Sequence, residues 1–405
     1  RYKKNQASPK PAKPLVKGIN YLLNEEPDKA LAFFIQHRDI DQYTAETFLL
    51  LGNSFRNRGE VDRALKVHQN LIARPNLSAQ QKQAAMLALG EDFFAAGLFD
   101  RAEHVFQELL QRNAQHRQAC QFLREIYEHL KEWEKAIEVV QCEMKIAQPS
   151  AQSASQSTPN QKPELTKNHL MAHYYCEIAM LELKKGNVYH VDLALKKALK
   201  ADKHSLRVKV ITGDVALYEE KYTKARKIYF EVIKEDSRLL GILFDKLLTL
   251  ARQHHSYERF YDFLLTHYHA THDNTVLEHL LLVVNQPDYP LPFKQVIAIQ
   301  KVIEKELSDN RLSVAAILQS VNVLLHLQNQ IQKTTTATTE SQVNDSLNDD
   351  SLNSEITHLK LLQTALQNHL KGQLPFQCVH CGYQMNEYLW RCPVCRHWDT
   401  ISQVK

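Results

Sequence analysis

The sequence predicts an all-α protein assembled by repetition and followed by a small separate domain. Three observations lead there. Glycine is scarce, 10 of 405 residues against a usual share of about 7%, while the helix formers Leu, Ala, Lys, Gln and Glu crowd the chain. Little material is left for the glycine-bearing turns of α/β nucleotide sites, hairpins or propellers. A small residue recurs at a nearly fixed interval through the first half. Four of the seven cysteines (Cys378, Cys381, Cys392 and Cys395) gather near the far end.

The recurring residue is Ala30, Ala64, Ala102, Ala136 and Ala225, each after an acidic or polar residue and a base (Asp-Lys, Asp-Arg, Glu-Lys or Thr-Lys). The first two spacings are 34 and 38 residues and the third is again 34. Twelve positions before the marker lies Gly18, Gly52, Gly90 or Gly213; nine before lies Tyr21, Phe55, Phe93 or Tyr127; four after lies Phe34, Phe106 or Tyr229. This is the tetratricopeptide pattern of a 34-residue helix-turn-helix unit, in which small residues let paired helices approach and aromatics fill the gap. Counting back 34 from Ala225 reaches Val191, a bulkier substitute for the small residue, and the excess spacing from Ala136 matches a Ser-, Gln- and Pro-rich stretch.

The elements follow in order. Residues 1–13 form a basic segment. From Arg1 to Lys17 there are six bases (Arg1, Lys3, Lys4, Lys10, Lys13 and Lys17) and no acid, which fits either a solvated tail or the cytoplasmic flank of a membrane anchor. A chain starting at Arg1 is expected to lack an upstream segment. Tetratricopeptide repeats are expected over 14–147, a flexible insertion over 148–168, and further repeats, increasingly degenerate, over 169–332. In the last part helices are expected near 239–252, 257–268, 275–284, 292–307 and 312–331. A Thr-rich low-complexity stretch predicts a disordered linker over 333–353, then a helix over 354–371 and a metal-binding domain over 374–405.

Stacked repeats make a superhelix whose first helices line a concave face, so a protein-binding role is the default for the array. The outward positions of those helices include Asn53 and Arg56, then Glu91 and Phe94, and these four are the candidate partner contacts. Asn53 with Arg56 resembles the polar pairs that hold peptide backbones and carboxylates. A solvated helix face is the alternative.

Cys378-Val-His-Cys381-Gly382 and Cys392-Pro-Val-Cys395 are two knuckles ten residues apart. Thiolates three apart in a tight turn reach one ion, so the pair predicts a closed tetrahedral site for zinc or iron. Phe376, Tyr383, Tyr388, Trp390 and Trp398 are expected to pack around it, and Arg391 and Arg396 to offset its negative charge. So small a unit needs the ion to fold. His380 and His397 are alternative ligands. With every coordination position filled by protein, hydrolysis at the metal is excluded, whereas electron transfer through iron is not. The concentrated cysteines indicate a reducing compartment, with Cys120, Cys142 and Cys176 as small buried hydrophobes.

No GxSxG, HExxH, Walker or GxGxxG motif is present, so no enzyme class is indicated. The net charge of +4, from 50 bases and 46 acids, argues against nucleic acid as a partner.

Several stretches together resemble the lipopolysaccharide assembly protein B family of Gram-negative bacteria. They are Gly18-Ile-Asn-Tyr-Leu-Leu-Asn, Leu51-Gly-Asn-Ser-Phe-Arg-Asn-Arg-Gly-Glu-Val-Asp-Arg-Ala64, Ala96-Gly-Leu-Phe-Asp-Arg-Ala102, Tyr174-Tyr-Cys-Glu and the C-terminal cysteine knuckles. The resemblance covers about residues 14–405; the two insertions and Val191 depart from it. It implies a single-pass anchor in the bacterial inner membrane, with the repeats and a rubredoxin-like domain on the cytoplasmic side. It also implies a non-enzymatic adaptor that promotes FtsH-dependent proteolysis of the deacetylase committing lipid A synthesis, together with other lipopolysaccharide assembly and inner-membrane regulatory proteins. Cys378, Cys381, Cys392 and Cys395 are then the ligands of one iron or zinc ion. Two other readings stay open: a rubredoxin-like electron-transfer protein, and a repeat adaptor for unrelated partners with a purely structural zinc ribbon. Homodimerisation is a further open arrangement.

Overall fold

A computed structural model describes residues 42–146, 166–286, 292–309, 312–338 and 346–404, with Lys29 and Ala32 ahead of them. The basic start, most of the first repeat and nearly all of the 148–168 insertion lie outside the described residues. By its internal contacts the chain divides into two compact units, Arg1–Ile178 and Ala179–Lys405.

The first unit holds α1 (Gln42–Asn57), α2 (Val61–Ile72), α3 (Ala79–Ala95), α4 (Phe99–Arg112), α5 (Arg117–Leu130), α6 (Trp133–Ile146) and the start of α7 (Lys167–Lys184). Odd-numbered helices are the first of each pair; α1 packs on α2 and α3, and α3 on α4 and α5. The second unit continues with α8 (Val188–Ala201), α9 (Leu206–Tyr218), α10 (Tyr222–Glu235), α11 (Leu240–Gln253), α12 (Tyr257–Thr271), α13 (Asn274–Val284), α14 (Phe293–Ser308), α15 (Val314–Thr338) and α16 (Ser346–Leu370). Three short strands follow: β1 (Phe376–Cys378), β2 (Gln384–Met385) and β3 (Ile401–Gln403). No described helix is long and apolar enough to cross a membrane.

The recurring glycines mark the closest approach within a pair. A Cβ added to Gly52, Gly90 or Gly213 would overlap the ring of His68, Phe106 or Tyr229 respectively, and each ring stands four residues after its marker alanine. Gly90→Ala is therefore expected to cost about 1–3 kcal/mol by overpacking. Gly97→Ala, in a turn with nothing within 4 Å of the new carbon but a φ of +72°, should cost only the left-handed backbone penalty of about 1–2 kcal/mol. Thermal unfolding of the two variants beside the parent checks both values.

The turn inside each pair repeats as faithfully as the glycine. A residue with positive φ precedes the second helix at Gly59, Gly97, Lys131, Gly186, Glu220 and His255. In each case the next N–H donates to the carbonyl five residues back, at 2.8–3.0 Å (Glu60 to Phe55, Leu98 to Phe93, Glu132 to Tyr127, Asn187 to Glu182, Lys221 to Ala216, Ser256 to Ala251). This is a Schellman closure that satisfies the last carbonyls of the first helix. The marker is always the fourth residue of the second helix, and all six are buried: Ala64, Ala102, Ala136, Val191, Ala225 and, in α12, Phe260. The repeat thus continues past residue 235 with Phe260 in the place of alanine.

The expected linker over 333–353 needs correction. Helix α15 runs to Thr338 and α16 starts at Ser346, leaving only 339–345 outside the described residues. The two helices pack through Val321, Leu325 and Ile356, with Leu359 and Leu366 against them, so the ends of the polar stretch continue two helices that have a shared core to fold on.

Candidate metal centre and its seat on the helices

The three strands form one antiparallel sheet in the order β2-β1-β3. Phe376 stands opposite both Met385 and Gln403, and Cys378 opposite Ile401. The first knuckle closes the β1–β2 connection; the second lies inside an antiparallel bridge between Arg391 and Trp398. Both turns are built alike. The N–H of Gly382 donates to the Cys378 carbonyl at 2.8 Å, and that of Arg396 to the Cys392 carbonyl at 3.0 Å. Gly382 and Arg396, each following the second cysteine of its knuckle, have φ of 77° and 60°.

The four sulfurs converge, all within 4.8 Å of one another. Cys378 Sγ is 3.6 Å from Cys395 Sγ, and Cys381 Sγ is 3.7 Å from Cys392 Sγ. Sulfurs at about 2.3 Å from a tetrahedral ion stand about 3.8 Å apart, so the donor set fits one zinc or iron ion. Burial pushes the Cys378 thiol up, but the Thr400 hydroxyl and the N–H groups of Cys381 and His380 outweigh it and bring the group down to about 6. That sulfur is ready as a thiolate at neutral pH. Burial, with the adjacent thiols, pushes Cys395 up, as expected where four sulfurs crowd one site. His380 and His397 stack on each other with centroids 3.7 Å apart, both exposed, and His397 Nδ1 lies 2.9 Å from the Cys395 carbonyl.

The expected aromatic shell divides differently. Tyr383 is 45% exposed and does not serve as core. Trp390 packs against the core of the preceding helices, which runs from Val210 to Val323, and Tyr388 packs both there and against the core of Cys378, Met385, Cys392 and Ile401. Burial also pushes the Tyr388 hydroxyl up, keeping it neutral. Trp398 is buried between two guanidinium groups: Arg207 of α9 lies 5.3 Å from its ring centroid and Arg391 5.4 Å. Arg207 also lies 5.6 Å from Trp390 and is itself only 3% exposed. Arg391 also donates to the Arg396 carbonyl at 3.1 Å.

The sheet completes the seat. Gly241 of α11 faces Phe376 and Gln403, and Thr275 Oγ1 of α13 donates to Gln403 Oε1 at 3.1 Å. Beneath them His279 donates from Nδ1 to the Thr275 carbonyl at 2.7 Å. Its ring meets Phe244 at 4.9 Å, and burial lowers its proton affinity so that it stays neutral. Neither Arg207 nor His279 was among the candidate residues. The signal available for Arg207 was a base set in an apolar stretch of α9, Leu-Arg-Val-Lys-Val-Ile, where a buried cation requires a partner.

In the first unit three of the four candidate partner residues are occupied with each other. Arg56 donates to Asn53 at 2.8 Å and to Asp92 at 2.6 Å, and pairs with Glu91. Asp92, fully buried, also holds His68. Burial raises the Glu91 carboxyl, and Arg56 opposes that shift. Phe94 meets Phe99, Phe122 and His129 at 5.5–5.8 Å, edge-on. All four side chains keep partial exposure, so this lattice ties two repeats together and still borders solvent. Cys120 and Cys176 are buried as expected, while Cys142 is only half-buried.

Residues 376–403 match the family model described as a rubredoxin metal binding domain, and residues 47–79 match a tetratricopeptide repeat. The chain is 29% identical over 391 residues to lipopolysaccharide assembly protein B of Escherichia coli (strain K12), covering 96% of this chain and 89% of that protein. It is 29% identical over 399 residues, with the same coverage, to the protein of that name from Haemophilus influenzae. Among solved structures, a tetratricopeptide repeat protein from Parabacteroides merdae matches 79% of this chain and 98% of its own at 13% identity, with a TM-score of 0.32. The similarity is thus to the lipopolysaccharide assembly protein B proteins, and it runs through the helical repeats as well as the metal domain.

Proposed function

We propose that the chain is a non-enzymatic adaptor in lipopolysaccharide assembly, held at the cytoplasmic face of the bacterial inner membrane. It would bring the deacetylase that commits lipid A synthesis to the FtsH protease, under inner-membrane regulatory proteins. The observation that carries the reading is similarity along 96% of the chain, which covers repeats and metal domain together. The physical arrangement agrees. Stacked helix pairs offer docking surface, and four protein thiolates leave no coordination position for a substrate.

Asn53, Arg56, Glu91 and Phe94 are proposed to border the partner groove, their mutual ion pairs holding the shape that a partner reads. Binding through such a groove rests on many small contacts, so no single substitution there abolishes it unless it removes a buried hot spot. The deciding experiment measures the lifetime of the deacetylase in cells whose only copy of the adaptor is the full-length protein or its Cys378→Ser variant. A longer lifetime with the variant supports the reading. Normal turnover with the variant, and with the adaptor removed altogether, overturns it.

A further inference from the structure

Helix α8 carries a surface that the adaptor role leaves unassigned. Its inner side is Val191, Ala194, Leu195 and Ala198, all buried. At 100° per residue the stripe directly opposite is Tyr189, Leu193, Lys196 and Lys200. Tyr189 is 76% exposed, more than any other large apolar side chain among the described residues, and Leu193 is 42% exposed. From Lys184 to His204 six lysines stand against two aspartates, Asp192 and Asp202, with no arginine. Tyr218, 56% exposed, lies against the Gly186 turn that leads into α8 and widens the aromatic edge.

We propose that this face of α8 rests on an anionic phospholipid surface, with Tyr189 and Leu193 entering the interface and the lysines reaching the phosphates. An apolar ridge containing an aromatic and flanked by lysines is the pattern of an interfacial helix: the rings sit at headgroup depth while the long stems carry their charges outward. The lysines choose the occupant. Carboxylates of a peptide are best gripped by the arginine fork, which the patch lacks; hydrated point charges on flexible stems suit a diffuse anionic layer. The inference is independent of the adaptor reading, since it concerns only this helix and a lipid surface.

The test is cosedimentation of the 405-residue chain with vesicles of phosphatidylcholine alone or with about 30% phosphatidylglycerol. Because residues 1–17 carry six bases of their own, the comparison is among variants that share them. The parent should bind the anionic vesicles selectively. Tyr189→Ala with Leu193→Ala, which leaves the charge unchanged, and Lys196→Glu with Lys200→Glu should each weaken that binding at least about fivefold. Lys131→Glu with Lys145→Glu, elsewhere on the surface, should not. In Tyr189→Trp the added emission should shift to the blue on anionic vesicles. Equal binding by the parent and both stripe variants overturns the proposal. So does a polyglutamate peptide whose binding the stripe variants abolish while their vesicle binding stays intact, which would assign the face to an acidic protein.

Discussion

Cys378→Ser is expected to abolish stable metal binding and unfold residues 376–403 while leaving the helical repeats intact. Removing one of four thiolates opens the tetrahedral site, and structural zinc in small domains supplies about 10–16 kcal/mol of folding free energy. The domain has little to replace that: its buried core is Cys378, Met385, Cys392 and Ile401, half of it ligands. Metal content should fall from one ion per chain to near zero. Helical circular dichroism should hardly change, because the domain contributes three short strands. Limited proteolysis should then cut beyond Leu370, where the parent resists. A variant that keeps its metal and its resistance would show that three sulfurs suffice.

Arg207→Ala is expected to separate docking from metal binding. The guanidinium is buried between Trp390 and Trp398, where a desolvated cation–π contact contributes about 2 kcal/mol or more. Losing it should cost the second unit about 2–4 kcal/mol, a large effect for one side chain. Arg207→Lys should recover only part, because an ammonium cannot lie flat across two rings. Denaturant unfolding of the metal-loaded protein, with indole emission as one signal, measures the loss. Metal content should stay at one ion per chain, in contrast to Cys378→Ser. An unchanged unfolding midpoint would mean that the aromatic seat holds without the cation.

Some of this was legible in the sequence for reasons that are local. The knuckles declare themselves because two thiolates reach one ion only from a tight turn, and a tight turn fixes both spacing and the residue after it. Gly52, Gly90 and Gly213 are legible because a ring from the partner helix occupies the place of their Cβ. The pattern fades after residue 235 where Phe260 takes the alanine position; a larger core accommodates it, and only the backbone turn at His255 preserves the repeat. The seat of the metal domain was not legible. Arg207 and Trp398 are far apart in the chain, and no period relates them. Trp390 reads as shell for the metal because it lies beside the cysteines, yet it packs on the helices, while Tyr388 packs on both the metal-site core and the helices. The candidate groove was legible as a set of facing positions but not as a lattice, since Asp92 and His68, which complete it, lie on the inner side.

Hydrogen exchange of the metal-loaded and metal-stripped chain reads directly whether the four-sulfur domain and the helices behind it are one structural piece. Stripping the metal should raise exchange in 376–403 and also in the facing stretches of α9, α11 and α13, around Arg207, Gly241 and Thr275, while α1 to α6 stay as they were. Faster exchange confined to 376–403, with those helices unmoved, would contradict it and leave the metal domain a separate appendage.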